Sequence, residues 1–231
     1  MRARRFYFYG FVYNSISYSY AMDKDNPATY QRSIAGREYY SQACQDLFVL
    51  EMLEHKRQGI YCEIGGADPF ESNNSYLLEL RYDWKGVSLE FDPLLAQRFA
   101  SLRENPCLCQ NATKFDYLEY FTRAKFPPQI DYLSLDIEPA SNTFAALQRI
   151  PFALYRPAVV TFEHERYIAG EQIMLQSRSY LSTLGYQIVA ENVHCFGRDI
   201  EDWWIDPLRV PEARWGKFRS QCKEFKALFE R

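Results

Sequence analysis

The chain has 231 residues, of which 47% are hydrophobic and 25% charged. These are ordinary globular values that exclude a disordered chain and suit one α/β domain better than two cores. A net charge of −3 gives no basic field for a polyanion, so nucleic acid is not an expected partner; Arg2-Ala3-Arg4-Arg5 and the segment from Arg214 to Lys226 are local exceptions.

Residues 1–40 show no clean period and carry aromatic runs, Phe6-Tyr7-Phe8-Tyr9 and Tyr18-Ser19-Tyr20. They are read as an N-terminal extension that wraps the core or caps a pocket, and 41–231 as the folded domain. No apolar run reaches membrane length, and the Tyr-rich start lacks the apolar stretch of a signal peptide. The six cysteines include no C-x-x-C pair, and Cys107-Leu108-Cys109 alone is a poor zinc signature. They are read as reduced thiols, hence a cytoplasmic protein.

From Ser41 the pattern becomes regular. Ser41 is expected to cap a helix with Leu47, Phe48, Leu50 and Leu53 on its apolar side, ending near Gly59. A short apolar run, Ile60 to Ile64, then reads as a strand ending in Gly65-Gly66. Tyr76 to Tyr82 reads as a helix and Gly86 to Glu90 as a strand. Pro93 starts a helix that runs to Arg103. Pro106 to Gln110 is a weak strand and Phe115 to Arg123 a helix. Asp131 to Ile137 and Ala158 to Phe162 are strong strands. A helix closes over Ser179 to Leu184, Tyr186 to Ala190 resumes as strand, and Trp203-Trp204-Ile205 is a last short strand before Asp206-Pro207. A helical tail follows from Pro211. Repeated β-then-α alternation with apolar strands predicts an α/β fold: a parallel sheet with helices on both faces.

In such sheets ligands bind beyond the carboxyl ends of the strands, where the strand order reverses. The first strand ends in Glu63-Ile64-Gly65-Gly66-Ala67-Asp68. Gly65 and Gly66 let the backbone pass close under a ligand, while Glu63 and Asp68 offer carboxylates. Glu90, ending the second strand, is placed to accept both hydroxyls of a ribose, and Asn111-Ala112 after the third to read an adenine edge. The pattern is not G-x-G-x-x-G, which argues against a nicotinamide cofactor. Asp136, Glu138, Glu163 and Glu165, with His164 among them, crowd the next two strand ends. Like charges repel there, so the cluster is read as functional. Trp203, Trp204 and Tyr167 are candidate walls for a substrate or, equally, core and lid aromatics.

With these residues assembled, the chain resembles the FkbM family of S-adenosylmethionine (SAM)-dependent methyltransferases. The resemblance spans roughly Ser41 to Pro207. It rests on Ser41-Gln42-Ala43-Cys44-Gln45-Asp46, Glu63-Ile64-Gly65-Gly66-Ala67-Asp68, Ser72-Asn73-Asn74-Ser75-Tyr76-Leu77-Leu78-Glu79, Gly86-Val87-Ser88-Leu89-Glu90, Asp131 to Glu138, Glu163-His164 and Asp202-Trp203. Two positions depart from the family: Ala67-Asp68-Pro69 replaces its Asn-Asp-Gly, and Pro139 replaces the glycine after Asp-Ile-Glu. The resemblance implies a Rossmann-like seven-stranded sheet with one antiparallel edge strand, and SAM across Glu63, Gly65 and Glu90 with Asn73 and Gln42 nearby. It further implies O-methylation of a sugar or glycan hydroxyl. Related sugar enzymes hold a divalent ion at matching strand ends, which implies Mg²⁺ or Mn²⁺ on Asp136, Glu163 and His164, with Glu138 as general base. His164 as base without metal is the other form of the same reading. A ribose 2′-O-methyltransferase and a non-catalytic SAM-fold binding module share the sheet and remain alternatives, and the tail leaves a homo-oligomer open.

Overall fold

A computed structural model of the protein describes residues 23–230. The aromatic runs and basic cluster of the first 22 residues therefore lie outside the described residues. Ten strands are present among those described: β1 (Arg32–Ile34), β2 (Arg37–Tyr39), β3 (Ile60–Ile64), β4 (Lys85–Glu90), β5 (Cys107–Cys109), β6 (Tyr132–Leu135), β7 (Val159–Glu163), β8 (Gln187–Cys195), β9 (Arg198–Ile205) and β10 (Ser220–Gln221). The helices are α1 (Gln45–Met52), α2 (Tyr76–Tyr82), α3 (Pro93–Leu102), α4 (Tyr117–Arg123), α5 (Ala140–Leu147), α6 (Arg166–Ala169), α7 (Glu171–Thr183), α8 (Glu212–Trp215) and α9 (Lys226–Phe229).

Eight strands form one sheet in the order β10-β8-β9-β7-β6-β3-β4-β5, and β1 and β2 pair separately as a hairpin. Strands β3 to β7 run parallel, and β9 lies antiparallel to both β7 and β8. This is the expected mostly parallel α/β sheet, with its antiparallel strand toward one edge. The strands outside β9 are β8 and the two-residue β10, which brings the count to eight. Strand order reverses at β3, whose neighbours are β4 on one side and β6 on the other.

The sheet is apolar on both faces because helices cover both. On one face Tyr61, Tyr132 and Trp203 pack with Phe48 of α1, Leu77 of α2 and Phe229 of α9. On the other, Ile64, Leu135, Phe162 and Trp204 pack with Phe121 of α4, Leu147 of α5 and Leu181 of α7. The two tryptophans are adjacent in sequence and therefore point to opposite faces. Both are fully buried, so the core reading holds for them and they wall no substrate pocket.

Boundaries moved where local chemistry differs from the simplest pattern. Ser41 does not cap α1; its hydroxyl donates to Asp46 Oδ1 at 2.6 Å, and Asp46 also accepts the Tyr40, Ser41 and Leu47 N–H groups. The helix stops at Met52, short of Gly59. At the other end of the chain the tail is a mixture of short helices and the strand β10. No helix among the described residues is long and apolar enough to cross a membrane.

Candidate active site

The register of the sheet decides which side chains share its carboxyl rim. One cross-strand row on the α1 face reads Ser88, Glu63, Ser134, Thr161 and Trp203. Two residues further toward the rim on the same face come Glu90, Gly65, Asp136 and Glu163, and, because β9 runs the other way, Glu201. The inner row is buried and polar. The outer row is the candidate site.

In the inner row, Glu63 is 1% exposed and accepts the Ser88 hydroxyl at 2.6 Å, the Ser75 hydroxyl at 2.9 Å and Asn73 Nδ2 at 3.4 Å. Burial pushes its carboxyl up, opposed by the Arg103 guanidinium and by these three donors. Arg103, itself buried, ties Glu79, Asn73, Ser75 and the Pro69 carbonyl into the same network. Asn73 Nδ2 donates to the Gly66 and Asp68 carbonyls at 3.1 and 3.2 Å. Glu63 and Asn73 therefore lie beneath the glycine loop and hold its shape from below, rather than forming its exposed surface. Asp68 is likewise committed to the loop: Oδ1 accepts the Phe70 and Glu71 N–H groups and Oδ2 pairs with Arg98 of α3.

The loop itself packs closely on the end of β6. Gly65 has φ +94°, and a Cβ there would stand 1.7 Å from the Asp136 carbonyl oxygen. Gly66 is less constrained: a Cβ there would meet the Ser88 Cβ at 3.2 Å, a tight contact. Beside it, Glu90 is half-buried and accepts the Ala67 N–H at 2.9 Å and the Asp92 N–H at 2.8 Å. Past β4 and β5, a cavity of about 140 Å³ is lined by Leu89, Phe91, Asn111, Ala112, Ile137 and Glu138, among others. Asn111 Oδ1 accepts from the Thr113 N–H and hydroxyl, which leaves its amide N–H₂ free of those bonds. Gly65, Gly66 and Glu90 thus lie at the ends of β3 and β4, and Asn111 and Ala112 line the cavity past β5. Larger clefts of about 470 and 380 Å³ lie next to His55, at the opposite ends of the strands.

On the other side of Gly65, three carboxyl groups converge. Burial, repulsion from Asp136 and a hydrogen bond shared with Asp136 push Glu163 well above the usual carboxylate range. Glu201 is pushed up to about 8, chiefly by burial, although the Trp203 indole N–H at 2.8 Å and Gln45 Nε2 at 2.7 Å both donate to it. Like charges at this spacing cannot all be ionised, so the group retains protons at neutral pH. Glu201 and Gln45 are missing from the residues expected by sequence. The period-two pattern Glu201, Trp203, Ile205 carried the signal, but it needed a strand longer than Trp203–Ile205, and β9 starts at Arg198.

The remaining expected residues go elsewhere. His164 is fully buried on the opposite, α7 face, where Nε2 lies 3.5 Å from Asp202 Oδ1 and Nδ1 accepts the Arg166 N–H. Residues 163 and 164 are consecutive at a strand end, so their side chains diverge to the two faces. Asp136, Glu163 and His164 therefore do not assemble as a ligand set, and Asp136 and Glu163 share a hydrogen bond instead; the expected Mg²⁺ or Mn²⁺ site does not fit these residues. Glu165 accepts the Ala140 N–H at 2.7 Å and so caps α5. Glu138 is exposed beside the Asn111 cavity. Gln42 is half-buried in the segment before α1, its carbonyl 3.8 Å from Cys195 Sγ. Tyr167 of α6 is 40% exposed at the carboxylate end of the rim, its ring under Arg198.

No model of a known protein family matches this sequence, and no curated protein matches it. Solved structures do. An O-methyltransferase from Bacillus cereus in complex with SAH superposes with a TM-score of 0.51 and 16% identity, over 73% of this chain and 82% of that one. Fibrillarin from Aeropyrum pernix with natively bound S-adenosyl-L-methionine gives 0.49 and 15%, over 76% and 81%. The O-methyltransferase and this chain therefore share a Rossmann-like α/β fold.

Proposed function

We propose that the chain is a SAM-dependent O-methyltransferase acting on a hydroxyl of a sugar or glycan, without a resident metal. The observation that carries the reading is the glycine turn at the switch point: Gly65, at φ +94°, packs directly against the Asp136 carbonyl, so that β3 ends at the rim beside Glu90 and near the Asn111 cavity. The residues fit the cofactor. Glu90 suits the ribose hydroxyls, the cavity between Leu89 and Asn111 suits a flat adenine, and Gly65 suits the chain that continues toward Asp136. When bound, SAM supplies an activated methyl carbon that an oxygen attacks in line.

The acceptor side follows from that orientation. The reacting alcohol sits at the ends of β6 and β7, between the Asp136–Glu163 pair and Tyr167. A sugar hydroxyl is scarcely ionised at neutral pH, so its proton must pass to a carboxylate as the oxygen–carbon bond forms and the carbon–sulfur bond breaks. The proton goes to Asp136, the half-buried member of the pair, while Glu163 stays protonated and donates to it. Glu138, exposed at the neighbouring cavity, is the second candidate for the base. The specificity for a polyol rests on the carboxylates, which accept hydroxyl hydrogens, and on the exposed Tyr167 ring, on which sugar C–H faces pack. The resemblance to FkbM-type enzymes supports the same substrate class, and the net charge of −3 disfavours RNA.

Incubation of the chain with methyl-labelled SAM and a panel of deoxysugar glycans, with an RNA arm, tests this. Label is expected on a glycan hydroxyl, with Asp136→Asn lowering turnover at least 100-fold and Glu138→Gln less than tenfold. The reverse ranking moves the base to Glu138. Label in RNA alone overturns the substrate class.

A further inference from the structure

Away from the rim, three side chains gather donors of different chemistry. His194 of β8, Asp199 of β9 and Cys222, just past β10, bring an imidazole nitrogen, a carboxylate oxygen and a thiol sulfur within 4.8 Å of one another. The juxtaposition is built into the sheet. His194 and Asp199 are cross-strand partners on either side of the Phe196-Gly197 turn, and both turn residues have positive φ, 53° and 72°. Cys222 is delivered by β10, which pairs parallel with β8, and its N–H donates to the Glu191 carbonyl at 2.9 Å.

Two of the donors, Asp199 and Cys222, already have partners outside the group of the sort that orient a metal ligand. His194 Nε2 faces Asp199 Oδ1 as an ion pair, and Asp199 Oδ2 accepts Arg166 Nη1 at 2.7 Å, which leaves Oδ1 pointing into the group. Asn192 Nδ2 lies 3.5 Å from Cys222 Sγ, and the Arg178 guanidinium is close enough to interact with the thiol. One nitrogen, one oxygen and one sulfur match a borderline cation; Mg²⁺ and Ca²⁺ select oxygen-only sets. Three protein ligands and a water complete a tetrahedron around Zn²⁺, whose donors stand roughly 3.3–3.6 Å apart for bonds of about 2.0–2.3 Å. Metal entry parts the contact between His194 Nε2 and Asp199 Oδ1 and brings the exposed Cys222 thiol inward by a side-chain rotation.

We propose that His194, Asp199 and Cys222 form a Zn²⁺ site that clamps the C-terminal segment to the sheet. The clamp falls where the fold is thinnest. β10 has two residues, yet the chain beyond it returns Phe225, Leu228 and Phe229 to the core. A metal bond from Cys222 to β8 and β9 holds that return in place independently of the methyl-transfer rim.

The full-length chain, titrated with Zn²⁺ by calorimetry and with Co²⁺ by visible spectroscopy, tests the site. The expected result is one equivalent bound, with tetrahedral cobalt bands and a thiolate charge-transfer band. Cys222→Ser and His194→Ala each weaken binding at least tenfold, while Cys109→Ser, at the other strongly exposed thiol near a strand end, leaves it unchanged. Zn²⁺ raises the Tm of the native chain and not that of Cys222→Ser. Absence of binding, or binding that survives Cys222→Ser undiminished, overturns the proposal. Should His194→Ala fail to fold, Cys222→Ser at its exposed position decides alone.

Discussion

Glycine 65 is the position at which one methyl group decides the outcome. Its φ of +94° already disfavours a side chain, and the Asp136 carbonyl at 1.7 Å from a built Cβ leaves nowhere for one to go. Gly65→Ala should cost at least about 2 kcal/mol in urea unfolding, from backbone strain and overpacking together. Glu201 makes a prediction of opposite kind. Its folded pKa of about 8 stands above an unfolded value near 4.5, so the folded state binds the extra proton across that interval. Stability contributed by this group is fully present below pH 4.5 and is lost as pH rises toward 8, at up to about 1.4 kcal/mol per pH unit. Glu201→Gln keeps the oxygen that accepts from Gln45 and Trp203. Unfolding titrations of this variant across pH 5 to 8 should therefore show a shallower fall in stability than the native chain. An unchanged slope would mean that Glu201 is ionised throughout.

At the scale of elements, the β8–β9 hairpin does two jobs with adjacent residues. Glu201 and Trp203 serve the rim and the α1 face, while Asp202 faces α7 and holds Arg178 through bonds of 2.7 and 2.8 Å, with His164 beside it. Arg178→Met would take the guanidinium from Asp202, which has no exposure and would keep only the Asn192 N–H and His164 beside it, and should cost about 3–5 kcal/mol in chemical denaturation. A cost under 1 kcal/mol would show that the Asn192 N–H and His164 together satisfy the carboxylate. The hairpin also marks where sequence reading lost resolution. Strands β3, β4 and β7 and helices α2 and α3 announce themselves through apolar runs, the glycine pair and Pro93, and the structure adds Asp92 as the cap of α3. The hairpin extends well beyond its apolar stretches, since Asn192, His194 and Glu201 are strand residues with polar side chains paid for by tertiary partners. α5 begins at Pro139-Ala140 without a capping side chain of its own, and its cap, Glu165, comes from 25 residues away.

For the whole molecule, the strand order places Gly65, Glu90 and the Asn111 cavity on one side of the switch point and the Asp136–Glu163–Glu201 group on the other. The first set was legible because each residue ends a parallel strand, so order in sequence becomes order along the rim. The second was half legible. Counting carboxylates at strand ends identified Asp136 and Glu163. Which face His164 takes, and that the antiparallel β9 returns Glu201 to the same rim, depend on pairing between segments that no local pattern contains. That division between the Glu90 side and the proton-holding group is the basis of the proposed methyl transfer, and affinity for the demethylated product SAH isolates its donor half. Isothermal calorimetry of the purified chain should record one SAH bound per chain, with Glu90→Ala weakening it at least tenfold, or about 1.4 kcal/mol. No heat of binding from folded protein with either SAH or SAM, or an affinity indifferent to Glu90→Ala, would contradict the account.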